Sequence, residues 1–307
     1  MIKIGLLDFG QRSNSISSIG KVIDVMEYAD EADELGFSRF WLAEHHNYSN
    51  SEAWSNPLVL LPLLLNNTER INVGISGILI NYYSSYETVM HFKLLANLFP
   101  NRVDLGLANG TPPQNIVNLL TDRKDDLTIQ NTVPRKVKEI FDFFHNEQFI
   151  AENEKIVIPP FKGNIPEVYL LGSTFNFLNV SLDYKFNFSK SIFHDRKSFV
   201  SQKDEVLKFK DDFFEKYGII PKINVAFTGV CASKEREAKK IVKENPFDLI
   251  NPIVGTKEIF IDKLNSMKEF FGVDEFIFHN ASLVNEQKIE SINLLSEAFN
   301  LKNNYEI

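Results

Sequence analysis

The chain has 307 residues, 44% of them hydrophobic and 24% charged, with a net charge of −8 and a pI near 5.4. This is the composition of a soluble globular protein able to bury a sizeable core, and the acidic balance argues against a nucleic-acid partner, which needs a basic stripe. A single cysteine, Cys231, excludes an intrachain disulfide and any cysteine-based zinc cluster.

The chain opens on Met1-Ile2-Lys3-Ile4-Gly5-Leu6-Leu7. It turns polar too soon for a signal peptide and reads as a first strand, Ile2–Asp8. The most apolar run, Pro57–Leu65, is about half the length a membrane span needs. A cytoplasmic protein with no membrane contact is the expectation. Further strands are expected over Ser38–Ala43, Ile71–Ile80, Arg102–Ala108, Glu167–Gly172, Phe186–Ser191, Ile223–Cys231 and Asp274–His279. Amphipathic stretches lie between them. In Val22–Leu35, Val22, Val25, Met26, Ala29, Ala32 and Leu35 recur at three- and four-residue spacing. Similar stretches span Glu87–Leu98, Pro134–Phe144, Lys197–Tyr217, Glu235–Glu244, Thr256–Phe271 and Gln287–Phe299, and Gly36, Gly218 and Gly272 stand as helix stops. Eight strand–helix units without a Gly/Ser- or Pro-rich linker point to one α/β domain over residues 1–307, a (β/α)8 TIM barrel with a parallel sheet. The polar stretch 111–134 after the fourth strand is the candidate mobile loop over an active site. Cys231 sits in an apolar run and is expected to be buried and inert. The 27 phenylalanines fit either dense packing or an apolar pocket.

Four segments can carry chemistry. In Phe40–Asn47 the apolar run ends at Ala43, and Glu44, His45, His46 and Asn47 follow at a strand's C-terminal end, where barrel active sites sit. Strand alternation would send the two imidazoles to opposite faces, so one of them at most should point into the mouth. A structural histidine pair bonded to Glu44 is the competing reading. With six histidines and no HExxH or HxH spacing, no metal site is expected. In Val73–Ile80, Gly74, Ser76 and Gly77 interrupt an apolar strand, marking either the approach of a flat ligand or tight barrel packing. Asn101–Pro112 opens a strand into a glycine turn at Ala108, Asn109 and Gly110. In Val168–Thr174 a strand ends in Gly-Ser-Thr before a helical stretch, suited to an anion or to plain N-capping. Arg135 could reach the same anion or be solvated. Nucleophile elbows, Walker loops and GxGxxG are absent, which disfavours a nicotinamide Rossmann domain.

Taken together and in order, these segments resemble the bacterial-luciferase-like family of flavin-dependent monooxygenases, in its short single-chain subgroup. The likeness rests on FWLAEHHN at Phe40–Asn47, ERINVGISGILI at Glu69–Ile80, LFPNRVDLGLANG at Leu98–Gly110, VYLLGST at Val168–Thr174, NPIVGTKEIFIDKL at Asn251–Leu264 and GVDEFIFH at Gly272–His279. The resemblance implies a luciferase-like TIM barrel holding reduced FMN supplied by a separate flavin reductase, with dioxygen as co-substrate. It also implies a small organic substrate or biosynthetic intermediate and a homodimer. It makes His45 the catalytic histidine and Glu44 and His46 its supports. Ser76-Gly77 falls where the family often has a cis peptide beneath the ring. Ser173, Thr174 and Arg135 fall on the phosphate site, and Asn109 lies by the flavin. The chain departs from the family at Asn109 and Ala108, at Phe175 and Phe177 in the phosphate loop, and in the DYKFNFS segment after it. An FMN- or deazaflavin-dependent reductase or dehydrogenase, or a non-catalytic flavin-binding barrel, is the alternative. Phe9, Trp54, Tyr82, Tyr83, Phe193 and His194 are candidates to line the pocket.

Overall fold

The computed structural model describes residues 1–46, 51–121, 132–193, 203–247 and 249–305. Nine parallel strands form its sheet: β1 (Lys3–Asp8), β2 (Arg39–Leu42), β3 (Asn72–Leu79), β4 (Val103–Ala108), β5 (Glu167–Gly172), β6 (Asn187–Ser191), β7 (Ile223–Cys231), β8 (Ile253–Gly255) and β9 (Glu275–Asn280). Eight of them close a ring. β1 to β6 pair in chain order, β6 pairs β7, β7 pairs β9, and β9 returns to β1. The expected (β/α)8 barrel is therefore the observed one. β8 is a short extra strand against the end of β7; three residues are too few to carry a periodic signal, and the sequence reading missed it.

The helices sit outside the ring and bury their apolar stripes against it. Ser18–Glu34 starts on the Ser17 side chain, which accepts the Gly20 N–H at 3.0 Å. Lys257–Phe271 ends on Gly272 in the left-handed region at φ 66. Short helices at Leu61–Asn67, Gln114–Leu120, Glu147–Asn153 and Leu178–Asp183 have two turns or fewer and are hard to see by periodicity. Within the candidate loop 111–134, Gln114–Leu120 is a short helix and Val133 begins the next one; residues 122–131 lie outside the described ones.

Inside the ring, side chains stack in layers. At the N-terminal end Arg39, Asp104 and Glu275 form a polar floor: the Arg39 Nε donates to Glu275 at 2.8 Å, and its Nη1 pairs with Asp104. The Trp41 indole N–H also donates to Asp104, at 2.7 Å. Buried charge is tolerable here because each group meets an opposite one. Burial pushes the Asp104 carboxyl up despite Arg39 beside it. Above the floor lies an apolar layer of Leu7, Trp41, Tyr169, Ala226 and Ile277, with Trp41 and Tyr169 edge to face at 5.1 Å. The layer closes the barrel from below and leaves the C-terminal end open.

Candidate active site

A cavity of about 590 Å3 opens at that end, within the range of small-molecule pockets. Its wall comes from seven neighbouring strands and the segments that follow them: Phe9 after β1, Glu44 to His46 after β2, Ser76, Gly77 and Leu79 on β3, Ala108 to Pro113 after β4, Leu171 to Ser173 at β5, Ser189 and Ser191 on β6, and Ala226 on β7.

β2 ends at Leu42, three residues before His45. Strand alternation has lapsed there, so His45 and His46 both line the cavity, not one of them as expected. Their surroundings differ. The His46 Nε2 bonds Glu44 Oε1 at 2.9 Å. Glu44, 3% exposed, also accepts the Tyr83 hydroxyl at 2.5 Å and the Leu79 N–H at 3.3 Å. Burial, and then Glu44 as hydrogen-bond acceptor, push the Tyr83 hydroxyl pKa up, so it stays a donor. The His45 ring packs against Phe9 at 4.9 Å, and its backbone N–H donates to the Ser55 carbonyl at 3.0 Å. Phe9 continues to His279, 4.6 Å away. His279 is buried and bonded to the Thr228 hydroxyl at 3.0 Å. Burial, then the nearby Lys288, press its pKa down to about 3, so it is neutral.

The Ser76–Gly77 peptide is cis. β3 bulges against β4 at this point: Ile75 faces Leu105 and Ile78 faces Leu107, so two residues of β3 stand against Gly106 alone. A Cβ on Gly77 would lie 2.4 Å from a Leu171 methyl and 2.8 Å from the Gly106 carbonyl oxygen. The glycines of β3 thus serve tight packing, and Ser76 and Gly77 both line the cavity. Asn109, also in the wall, accepts from the Asn81 amide at 2.7 Å.

The residues expected around a phosphate divide. Ser173 lines the cavity. Thr174 caps a three-residue 3-10 turn, Phe175–Phe177, accepting the Asn176 N–H at 3.4 Å. Phe175 is buried behind the loop against Phe188, whereas Phe177 reaches the cavity wall. Arg135 lies on the outer face of Val133–His145, its side chain 60% exposed and paired with Glu139 one turn on; it is not in the wall. Lys190, which sequence reasoning did not single out, is buried beneath the loop; its ammonium donates to the Ser173 carbonyl at 2.5 Å. Of the other pocket candidates, Phe9 and Phe193 line the cavity. Trp54 holds the loop below through a 2.9 Å bond to the Ala43 carbonyl. Tyr82 packs in a side cluster with Leu79 and Val117, and Asn47 and His194 lie outside the described residues. Cys231 is buried on β7, its thiol pushed up to about 12 by burial first.

Comparison with known proteins agrees with this layout. Residues 2–125, which hold the first four strands and the His45 segment, match the family model described as luciferase-like monooxygenase. The N-acetyl-S-alkylcysteine monooxygenase of Bacillus subtilis (strain 168) is 26% identical, over 97% of this chain and 98% of its own length. Among solved structures, apo-MsnO8 superposes with a TM-score of 0.81 at 20% identity, covering 98% of this chain and 99% of the other. The oxygenating constituent of 3,6-diketocamphane monooxygenase from Pseudomonas putida, in complex with FMN, gives 0.73 at 17% identity, covering 97% and 98%. Over its first four strands, which include the His45 segment, the chain is similar to the luciferase-like monooxygenases, and over nearly its whole length it is similar to a relative named as a monooxygenase.

Proposed function

We propose that the chain is a flavin-dependent monooxygenase that uses reduced FMN and dioxygen to oxidise a small organic molecule, with His45 moving the protons. The observation that carries this reading is the meeting of His45, the Glu44–His46 pair and Ser76–Gly77 around one cavity of about 590 Å3. The flavin ring fits the wall. The Ser76–Gly77 backbone offers a flat face, and Leu171, Ala108 and Ala226 are small or apolar neighbours. A relative whose name makes it a monooxygenase of an alkylcysteine derivative and a barrel of the same fold that holds FMN support the reading.

Reduced flavin bound there supplies the electrons that activate dioxygen. The chain's own residues bind, orient and move protons. An imidazole, with an ordinary pKa of about 6.5, takes and gives a proton near neutral pH. Glu44 holds His46 and Tyr83 in place, and so fixes the loop that presents His45. Phe9, Phe177, Phe193 and Leu79 supply an apolar wall, which favours an apolar or aromatic substrate and keeps water from the reacting atoms. A separate flavin reductase as electron source, a homodimer and a cytoplasmic location complete the proposal.

The test is an anaerobic titration with photoreduced FMN, followed by admission of oxygen with candidate substrates and mass analysis for incorporation of one oxygen atom. Binding followed by incorporation is the expected result. Failure to bind reduced FMN at high micromolar concentration removes the reading.

A further inference from the structure

A directed run of hydrogen bonds enters the histidine pair from the segments after β2 and β3. It starts at Asn56, whose side-chain oxygen accepts the Leu58 N–H at 2.8 Å. The amide nitrogen is thereby turned to Tyr83 and donates to its hydroxyl oxygen at 3.2 Å. A tyrosine hydroxyl has one proton, and here it goes to Glu44 Oε1. The other oxygen, Oε2, accepts the Leu79 N–H at 3.3 Å. Glu44 therefore accepts at both oxygens, and His46 Nε2, 2.9 Å from Oε1, is left as the donor. Tyr83 is fixed from a third element as well. The Lys136 ammonium, on the helix Val133–His145, donates to the Asn81 carbonyl at 3.1 Å and to the Tyr83 carbonyl. Ser55, next to Asn56, accepts the His45 N–H. One short segment thus holds Tyr83 by its side chain and His45 by its backbone.

We propose that Tyr83 is a positioning residue of this site: acting through Glu44, it keeps the His46 proton on Nε2 and leaves Nδ1 as the ring nitrogen that exchanges protons. A hydrogen bond to a charged acceptor is worth roughly tenfold or more in an equilibrium. Without it, the Nε2 proton of a doubly protonated ring passes to Glu44 in part of the molecules. The carboxylate is then neutralised, and the ring keeps its proton on Nδ1 alone.

The experiment is nitrogen-resolved NMR of the whole chain labelled at histidine, from about pH 6 to about pH 8, with His46→Gln to identify the His46 signals. It needs neither flavin nor turnover. In the wild type the His46 proton should sit on Nε2 and exchange slowly with water. In Tyr83→Phe the Nε2 proton should be partly lost and exchange fast. Asn56→Asp should do the same, because a carboxylate there draws the Tyr83 proton away from Glu44. A wild-type ring without a proton on Nε2, or a ring unchanged in Tyr83→Phe, overturns the inference; Asn56→Asp decides it if Tyr83→Phe does not fold by circular dichroism. The kinetic consequence rests on the flavin reading: both variants lower kcat about tenfold and leave KM and the reduced-FMN dissociation constant within about threefold. An unchanged kcat in a variant whose His46 proton has moved overturns the positioning role. A chain that binds no reduced flavin removes the flavin reading, and the NMR result still decides where the proton is held.

Discussion

His45 and His46 are adjacent in the chain, yet the fold gives them different work. His46 is bonded to a carboxylate that already receives a tyrosine hydroxyl and a backbone N–H, an arrangement that fixes the loop. His45 packs on the Phe9 ring at the cavity. Replacing His45 by alanine should lower kcat/KM by about 10²- to 10⁴-fold, the usual contribution of a general acid or base, and leave the unfolding midpoint almost unmoved. Steady-state kinetics beside a urea titration measure both, and unchanged turnover takes His45 out of the mechanism. His279 behind Phe9 has the opposite character. It is buried near Lys288, Lys21 and Asp8, and burial, then Lys288, hold its pKa at about 3 against an ordinary 6.5. Between those values the unfolded chain takes up a proton that the folded chain refuses. The unfolded state then binds more protons, so stability falls as pH falls from 6.5 towards 3, and the contribution is level above 6.5. One such group gives a slope of up to about 1.4 kcal/mol per pH unit. Urea unfolding of the wild type and of His279→Gln across that window should show the variant with the shallower slope. Parallel slopes would mean that His279 titrates normally in the folded protein.

At the level of elements, the eight ring strands were legible because each joins an apolar run to a turn or cap signal, and because parallel strands buried on both faces need near-continuous apolar sequence. The glycine stops after Ser18–Glu34, Lys203–Tyr217 and Lys257–Phe271 were legible too; Gly36, Gly218 and Gly272 all stand at positive φ. The polar floor was not. Arg39, Asp104 and Glu275 are 236 positions apart at the extremes, and nothing local in a sequence says that three charges will neutralise one another across a barrel. The site was legible strand by strand at Glu44, His45, His46, Ser76, Gly77, Asn109 and Ser173, whose segments end on the cavity. Arg135 and Thr174 are anion candidates by position and by resemblance, but where their side chains point depends on helix rotation and on a short 3-10 turn, neither of which leaves a local signal. Gly74 tests the account of β3. A Cβ there would fall 2.5 Å from the Asp104 carbonyl oxygen, which is backbone and cannot swing aside. Gly74→Ala should cost about 1–3 kcal/mol by overpacking, read as a lower denaturant midpoint with an unchanged slope. Undiminished stability would mean that β3 and β4 are not pressed together as described.

For the molecule as a whole, the helix Ser85–Leu98 poses a problem that one barrel does not solve. Its inner face carries Val89, Phe92 and Ala96 into the core. Its outer face carries Tyr86, Met90, Leu94 and Leu98, exposed by 42%, 37%, 51% and 63%. The four are spaced by four residues and so form one apolar stripe along the helix surface. An apolar stripe of this length on a monomer is costly to leave in water and marks an interaction surface. A two-fold dimer would bury it against its own copy, since an isologous contact needs only one self-complementary patch. This is the surface we assign to the proposed homodimer. Leu94→Asp places a carboxylate at the middle of the stripe, where in a dimer two such charges would be desolvated together. Sedimentation equilibrium should give a dimer for the wild type and a monomer for Leu94→Asp, with the barrel still folded by circular dichroism. A wild type that stays monomeric at tens of micromolar, or a variant that stays dimeric, removes this helix from the interface. The cavity lies at the C-terminal mouth and the stripe on the flank, so reduced-flavin affinity in the monomeric variant then tells whether the mouth depends on the partner for its shape.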